Sequence, residues 1–254
     1  MSSKKSVLVT LFILIYVIGL FSGMLLLQFI PGQETNIYEL LPEKRLTAEV
    51  NIVAVKQQGE TGVMSKGVVE IIANDSGKTR ILFNANPFVE PDTQQSIEVA
   101  SKIAEAFTKK SLEGRDVIYS IEGTDAKLIG GPSAGAALAA ATIAAIEGKK
   151  VREDVAITGT IEVDGRIGPI GGVIEKTAAA AENGLKEFIV PLGQSKVTYY
   201  EQQVKEEKRG FITIRRVQYV PKILDLNDYA RDQNWNIEIK EVRDIGELVE
   251  AVIE

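Results

Sequence analysis

The sequence predicts a mixed α+β domain at residues 46–254, preceded by a membrane-spanning helix at 1–30 and a linker at 31–45. Three observations lead to this organisation. An uncharged apolar run lies near the N-terminus, strand-like and helix-like segments alternate after residue 46, and glycine-rich turns separate many of them. With 254 residues, 45% of them hydrophobic, the chain can bury one substantial core.

The apolar run at residues 7–30 contains no charged side chain. A bilayer core of roughly 30 Å needs about 20 helical residues, whereas the apolar part of a signal peptide is about 7–15 residues long. We therefore expect an uncleaved signal anchor, with a cleaved signal peptide as the alternative. Lys4 and Lys5 favour a cytoplasmic N-terminus, although Lys44 and Arg45 beyond the run act against this bias. The prediction is a single-pass protein of the cell membrane whose folded domain is extracytoplasmic.

Strands are predicted where β-branched residues cluster or alternate between turn residues. They cover residues 46–55, 62–72, 80–83, 116–121, 155–158, 188–191 and 236–242, with a hairpin at 161–167 around Asp164-Gly165. The short polar run Asn74–Gly77 predicts the turn between the second and third strands.

Helices are predicted where apolar residues recur every three or four positions or where alanine dominates. The first covers 91–109, with Asp92 or Thr93 as its cap, and the second covers 132–147 and ends at Gly148. A third begins after Gly171-Gly172 and ends at Gly184, and the last covers 244–253. Residues 195–235 form a polar insertion, expected to be helical in parts with a β-like run at 211–220.

The composition excludes several kinds of site. The chain has no His and no Cys, so a Ser-His-Asp triad, a thiol nucleophile and an imidazole metal site are all impossible. Its net charge is −6, which argues against nucleic acid as a partner because phosphate contacts need clustered Lys and Arg. No metal and no other cofactor is expected. A hydrolase with this composition would take its general base from Lys, Asp, Glu or an amine.

Ser133 lies at the start of the predicted alanine-rich helix, after Gly130-Gly131-Pro132. A helix that is apolar on every side is buried, so its first turn should be held rigidly. Backbone N–H groups near Ser133 and Ala134 could then stabilise an oxyanion. The plainer interpretation is that Ser133 only caps the helix.

Lys176 shares a helix face with small and apolar residues, and no acidic residue lies three or four positions away. Lys102, by contrast, has Glu98 and Glu105 at those spacings. A desolvated lysine has a lowered pKa and can act as a base, and Ser-Lys pairs are an alternative to the triad. The plainer interpretation is that Lys176 extends past its short neighbours to solvent.

Residues 130–191 resemble the proteolytic domain of the Lon family, and a looser resemblance extends from residue 46 to the C-terminus. The motifs are Gly131-Pro132-Ser133-Ala134-Gly135, Thr158-Gly159 and Pro169-Ile170-Gly171-Gly172 followed by Lys176. The resemblance implies a Lon-like α+β fold, with Ser133 as nucleophile, Lys176 as base and Thr158 orienting the lysine. It also implies polypeptide substrates and a homo-oligomer, which in this family is a hexamer.

Three features depart from the family pattern. Gly130 stands where many Lon proteins have Asp, the insertion at 195–235 is long, and an ATPase module is not expected. Gly77-Lys78-Thr79 resembles the end of a phosphate loop, but that pattern needs glycine at position 72, which is Ile. No nucleotide is therefore expected as a partner.

The sequence predicts an ATP-independent serine endopeptidase that cleaves unfolded or membrane-associated proteins through an acyl-enzyme. The alternative is a module that keeps the Lon fold with weak or no catalysis and binds or scaffolds other proteins at the membrane. Gly130 favours this alternative, whereas the presence of both Ser133 and Lys176 favours the enzyme. A third hypothesis is that self-cleavage near residues 31–45 is the main reaction.

Overall fold

The computed structural model of this chain describes residue 16 and residues 39–42, 44–55, 62–84, 88–123, 128–209 and 211–254. Residues 38–254 form one compact unit, and residues 1–37 form another, of which only Tyr16 is described. None of the helices in the described ranges is long and apolar enough to cross a bilayer. The predicted membrane segment at 7–30 lies, apart from Tyr16, outside the described residues.

The described elements are runs of strands separated by single helices. The first half contains β1 (Glu39–Leu40), β2 (Leu46–Val55), β3 (Gly62–Ala73), β4 (Arg80–Phe83), β5 (Phe88–Val89), α1 (Pro91–Thr108), β6 (Lys110–Ser111), β7 (Arg115–Glu122), β8 (Leu128–Ile129), a 3₁₀ turn (Pro132–Ala134) and α2 (Gly135–Glu147). The second half contains β9 (Val155–Ile157), β10 (Thr160–Ile161), β11 (Ile167–Gly168), α3 (Val173–Glu182), β12 (Glu187–Pro191), β13 (Lys196–Arg209), β14 (Ile212–Asp225), α4 (Leu226–Asp232), β15 (Glu238–Val242) and α5 (Ile245–Val252).

A seven-stranded sheet forms the centre of the domain, in the order β15-β12-β9-β2-β3-β7-β4. The strands from β15 to β2 are parallel neighbours, β2, β3 and β7 are antiparallel, and β4 is parallel to β7. This mixture of strand directions confirms the predicted α+β class. The parallel half matters for the site, because the loop after β9 lies next to the 3₁₀ turn before α2.

Helices cover both faces of this sheet. Along β2, Val50 and Ile52 belong to the core cluster that contains α2, whereas Val53 belongs to the cluster that contains α3. Alternate side chains of a strand point to opposite faces, so α2 and α3 pack on opposite sides of the sheet. All residues from 135 to 146 are buried, as the predicted all-apolar helix requires.

Most sequence-predicted elements are confirmed within a few residues. The strand at 80–83 and the hairpin at Asp164-Gly165, where β10 pairs with β11, are among them. The Asn74–Gly77 turn is also present, and the Asn74 side chain accepts a hydrogen bond from the Ser76 N–H at 2.9 Å.

One prediction of local structure is wrong, and another is confirmed only in part. The N-cap of α1 is Glu90, without a side-chain capping bond, and not Asp92 or Thr93, because Pro91 occupies the first helical turn and needs no N–H acceptor. In the insertion at 195–235 the expected β-like run at 211–220 lies almost entirely within β14, and the expected helical part is limited to α4. The insertion consists mainly of a two-stranded hairpin in which β13 and β14 pair from Lys196↔Asp225 to Arg209↔Ile212, and only the short α4 follows.

Candidate active site

Ser133 lies in the middle of the 3₁₀ turn, not in the first turn of an α-helix as predicted. Gly131 precedes this turn with φ 87° and ψ 147°, a backbone conformation that side-chain-bearing residues rarely adopt. The Gly135 N–H bonds back to the Pro132 carbonyl, and Ala134, the expected oxyanion donor, becomes the N-cap of α2. Ser133 is not the N-cap of either element, because Gly131 caps the 3₁₀ turn and Ala134 caps α2, so the interpretation of Ser133 as a simple helix cap is not supported.

Two hydroxyl side chains of α1 stabilise the backbone of the 3₁₀ turn. The Thr93 hydroxyl donates to the Gly131 carbonyl at 2.9 Å, and the Ser96 hydroxyl donates to the Pro132 carbonyl at 3.2 Å. Both hydroxyl residues are buried. The sequence analysis missed these supports, although two polar residues on the buried face of an otherwise amphipathic helix were a usable signal.

Lys176 lies on α3, which packs on the side of the sheet opposite to α2. Its Nζ is 2.9 Å from the Ser133 Oγ. The residue is only 4% exposed, so its side chain does not extend to solvent as the plainer interpretation required. In the described part of the chain no carboxylate forms an ion pair with it, and burial alone lowers the pKa of Lys176 to about 8.

Thr158 connects the two residues. It follows β9, accepts a hydrogen bond from Lys176 Nζ at 3.3 Å, and donates to the Ser133 carbonyl oxygen, also at 3.3 Å. The next residue, Gly159, donates its N–H to the same carbonyl at 2.9 Å. The end of β9 therefore fixes the backbone of Ser133 and the direction of the lysine side chain at the same time.

The pair opens into a cleft of about 460 Å³. Its walls include the 3₁₀ turn, the end of β2 at Ala54-Val55, and the loop from Pro169 to Gly172. The Gln194 side chain fixes that loop by bonding both the N–H and the carbonyl of Ile170, at 2.9 and 2.8 Å. The described residues include no group of three or more acidic side chains arranged to hold a metal ion.

Gly130, which departs from the family pattern, lies against the carboxylate of Glu90. A Cβ atom at position 130 would overlap Glu90 Oε2 and lie 3.0 Å from Oε1. The space that a side chain at 130 would need is therefore occupied by an acid from the residue before α1. Sequence reasoning could not detect this contact, because the two residues are 40 positions apart.

A buried lysine that contacts a serine hydroxyl, with no histidine in the chain, is the geometry expected of a serine–lysine hydrolytic site. The chain belongs to the family of the Lon protease (S16) C-terminal proteolytic domain, whose family model matches residues 96–228. The resemblance inferred from the motifs is thereby confirmed at the level of the family.

Curated relatives share the same family name. The chain is 27% identical over 195 residues to an archaeal Lon protease of Halobacterium salinarum, covering 76% of this chain and 27% of that protein. It is 42% identical over 98 residues to a Lon protease of Lachnoclostridium phytofermentans and 39% identical over 93 residues to an archaeal Lon protease of Pyrococcus abyssi. These two matches cover 38% and 37% of this chain, and 11% and 9% of the relatives. The chain thus spans about a quarter or less of the length of these relatives.

Proposed function

We propose that this chain is a serine endopeptidase in which Ser133 is the nucleophile and Lys176 the general base. The observation that carries the proposal is the 2.9 Å contact between Lys176 Nζ and Ser133 Oγ at a buried position. A lysine pKa of about 8 leaves a useful fraction of neutral amine near neutral pH, which a base requires.

The reaction proceeds through an acyl-enzyme. Neutral Lys176 takes the Ser133 hydroxyl proton while Oγ bonds to the scissile carbonyl carbon, and the resulting ammonium returns the proton to the leaving amine. Water then attacks the ester, again with Lys176 as base, and Ser133 is restored. Backbone N–H groups at Ser133 and Ala134 stabilise the oxyanion, each worth about 3 kcal/mol of barrier. Thr158 keeps the lysine aimed at Ser133.

Unfolded polypeptide is the proposed substrate class. An extended segment can add beside the cleft through main-chain hydrogen bonds, which do not depend on its sequence. The printed sequence contains no complete phosphate-loop pattern, and hydrolysis of already unfolded chains needs no mechanical work. We therefore propose that these residues act without ATP, near a membrane to which the apolar run at 7–30 attaches them.

The test compares hydrolysis of a quenched fluorescent unfolded polypeptide by the full chain and by Ser133→Ala and Lys176→Ala. Each variant should lose about a thousandfold or more in kcat, because the two residues act as a unit. Lys102→Ala, at an exposed lysine, is the matched control and should keep full activity. The wild-type rate should be the same with and without ATP.

The pH dependence of the wild-type chain gives a second readout. kcat/KM should rise about tenfold per pH unit below pH 8 and level off above it, because the neutral form of Lys176 is the active one. Activity that survives in Ser133→Ala would exclude the dyad. A wild-type chain that neither hydrolyses peptide nor reacts with a fluorophosphonate probe would favour the binding module.

A further inference from the structure

The hairpin β13–β14 leaves apolar side chains exposed on one face. In the observed register, one face of the hairpin carries six apolar or aromatic residues: Tyr200, Val204, Val217, Tyr219, Pro221 and Ile223. Tyr200 and Ile223 are 67% and 72% exposed, and the others on this face are exposed as well. An isolated two-stranded hairpin is marginal in water and usually needs further strands or a packed face. This face therefore lacks the cover that such an element needs.

Charged pairs close both ends of this apolar face. Lys196 faces Asp225 at 4.0 Å near the base of the hairpin, and Arg215 contacts Glu206 at 2.6 Å toward its tip. An apolar centre with a charged rim is the usual pattern of a protein–protein interface. A surface adapted only to water would not concentrate its apolar residues between two ion pairs.

The opposite face of the hairpin carries a pair of like charges. Near its base, Val197 and Leu224 pack against the core cluster that contains α3. Farther out, Lys205 lies directly opposite Arg216, and both are exposed. Like charges directly opposite on paired strands are destabilising. Among the described side chains, no carboxylate forms an ion pair with either residue.

The charge of the rest of the chain is complementary to the hairpin. Residues 196–225 contain seven Lys and Arg and four Asp and Glu, a net charge of +3. Because the whole chain carries −6, the remaining residues carry −9. The rest of a second copy of this chain therefore carries a net charge opposite to that of the hairpin.

We propose that the hairpin β13–β14 docks on a second copy of this chain. A bilayer fits less well, because a flat ribbon touches it with one face only. If the apolar face were inserted, the Lys205–Arg216 pair on the other face would point away from the lipid headgroups. A neighbouring protein can cover both faces of the ribbon. This assembly does not depend on the proposed peptidase activity.

The test measures the mass in solution of the full chain in detergent micelles, in a Ser133→Ala background so that proteolysis cannot interfere. The wild-type hairpin should give a multiple of the protomer mass. Tyr200→Ser combined with Ile223→Ser should weaken assembly by about a hundredfold, because both side chains lose buried apolar contacts. Val163→Ser is the matched control, since Val163 is 82% exposed and lies outside the hairpin.

A loss of assembly in the variant Lys205→Glu cannot be attributed to misfolding. The new carboxylate would face Arg216, which should stabilise the hairpin itself while removing a positive charge from the face opposite the apolar one, which the neighbouring copy also covers. Assembly should weaken about tenfold, with unchanged circular dichroism, whereas Lys102→Glu should have no effect. Carbodiimide crosslinking of a mixture of unlabelled and heavy-isotope chains should join Lys205 of one copy to an acidic residue of another.

Two outcomes would overturn the proposal. One is an assembly of unchanged mass in both hairpin variants. The other is a wild-type chain that remains a single protomer and buries Tyr200 only when phosphatidylglycerol vesicles are added, which would identify the membrane as the occupant. Loss of peptide hydrolysis with an intact assembly would instead count against the proposed function alone.

Discussion

At the scale of single residues, the proposed general base Lys176 carries a cost in stability. Its side chain is buried, and no described carboxylate compensates its charge. The difference between its pKa of about 8 and the ordinary value of 10.5 corresponds to about 3 kcal/mol. This cost is fully present below pH 8, because Lys176 is protonated in both the folded and the unfolded state there. It disappears as the pH rises to 10.5, because the unfolded state then also loses its proton.

Lys176→Met should therefore abolish hydrolysis and stabilise the fold. The expected gain at pH 7 is about 1–3 kcal/mol in the free energy of unfolding, since the Ser133 and Thr158 hydroxyls lose one partner. Urea unfolding at pH 7 and at pH 10 measures the change. The gain should shrink at the higher pH, and Lys102→Met should show no such dependence. A variant less stable than the wild type at pH 7 would contradict the burial argument.

At the scale of elements, the distance between the two site residues depends on how closely α3 approaches the sheet. Gly62 begins β3 and lies under α3, where a Cβ atom would overlap the Glu175 carbonyl oxygen and lie 2.8 Å from the Ala179 Cβ. Both contacts are with the helix that carries Lys176, and backbone cannot move aside as a flexible side chain can.

Gly62→Ala should push α3 outward by about 1 Å and lower kcat about a hundredfold. The fold should lose about 1–3 kcal/mol of stability, as is typical for overpacking. Leu248→Val, at a fully buried residue of α5, is a control that loses similar stability without touching α3. Activity is measured per folded molecule at a temperature where both variants are folded. Equal activity in the two variants would show that the position of α3 does not limit the reaction.

Among the elements, α2 and β2 could be predicted from local sequence, whereas β13 could not. The α2 helix follows from its unbroken Ala, Leu and Ile residues, and β2 from its β-branched residues. In the hairpin, the β-like run at 211–220 belongs to β14, but residues 201–209 of β13 consist mainly of strong helix formers such as Glu, Gln and Lys. Pairing with β14 overrides that preference, and such pairing is not visible in a local window.

The site was predictable to a similar extent. Ser133 and Lys176 were identified because histidine is absent and both lie in Lon-like motifs. The contacts from Thr93, Ser96 and Glu90 were not, because α1 lies about 40 positions before the turn that it supports. Their roles depend on tertiary packing rather than on spacing along the chain.

At the scale of the whole molecule, the last prediction concerns the proposed membrane anchor at residues 7–30 and the expected extracytoplasmic position of the folded domain. The only charges in residues 1–30 are Lys4 and Lys5, which favour a cytoplasmic N-terminus. The chain has no cysteine, so a single introduced thiol reports one position without background. Val163 is suitable because it is 82% exposed and lies in the turn between β10 and β11.

A membrane-impermeant maleimide should label Val163→Cys in intact cells that express the full chain, because the domain is expected outside the cytoplasm. Ser3→Cys should react only after the cells are permeabilised. Ala141→Cys, at a fully buried position of α2, is the control for folding and should react only after denaturation. The opposite pattern, with Ser3→Cys labelled in intact cells and Val163→Cys protected, would place the domain in the cytoplasm. It would also mean that Lys44 and Arg45 outweigh the two N-terminal lysines in setting the orientation.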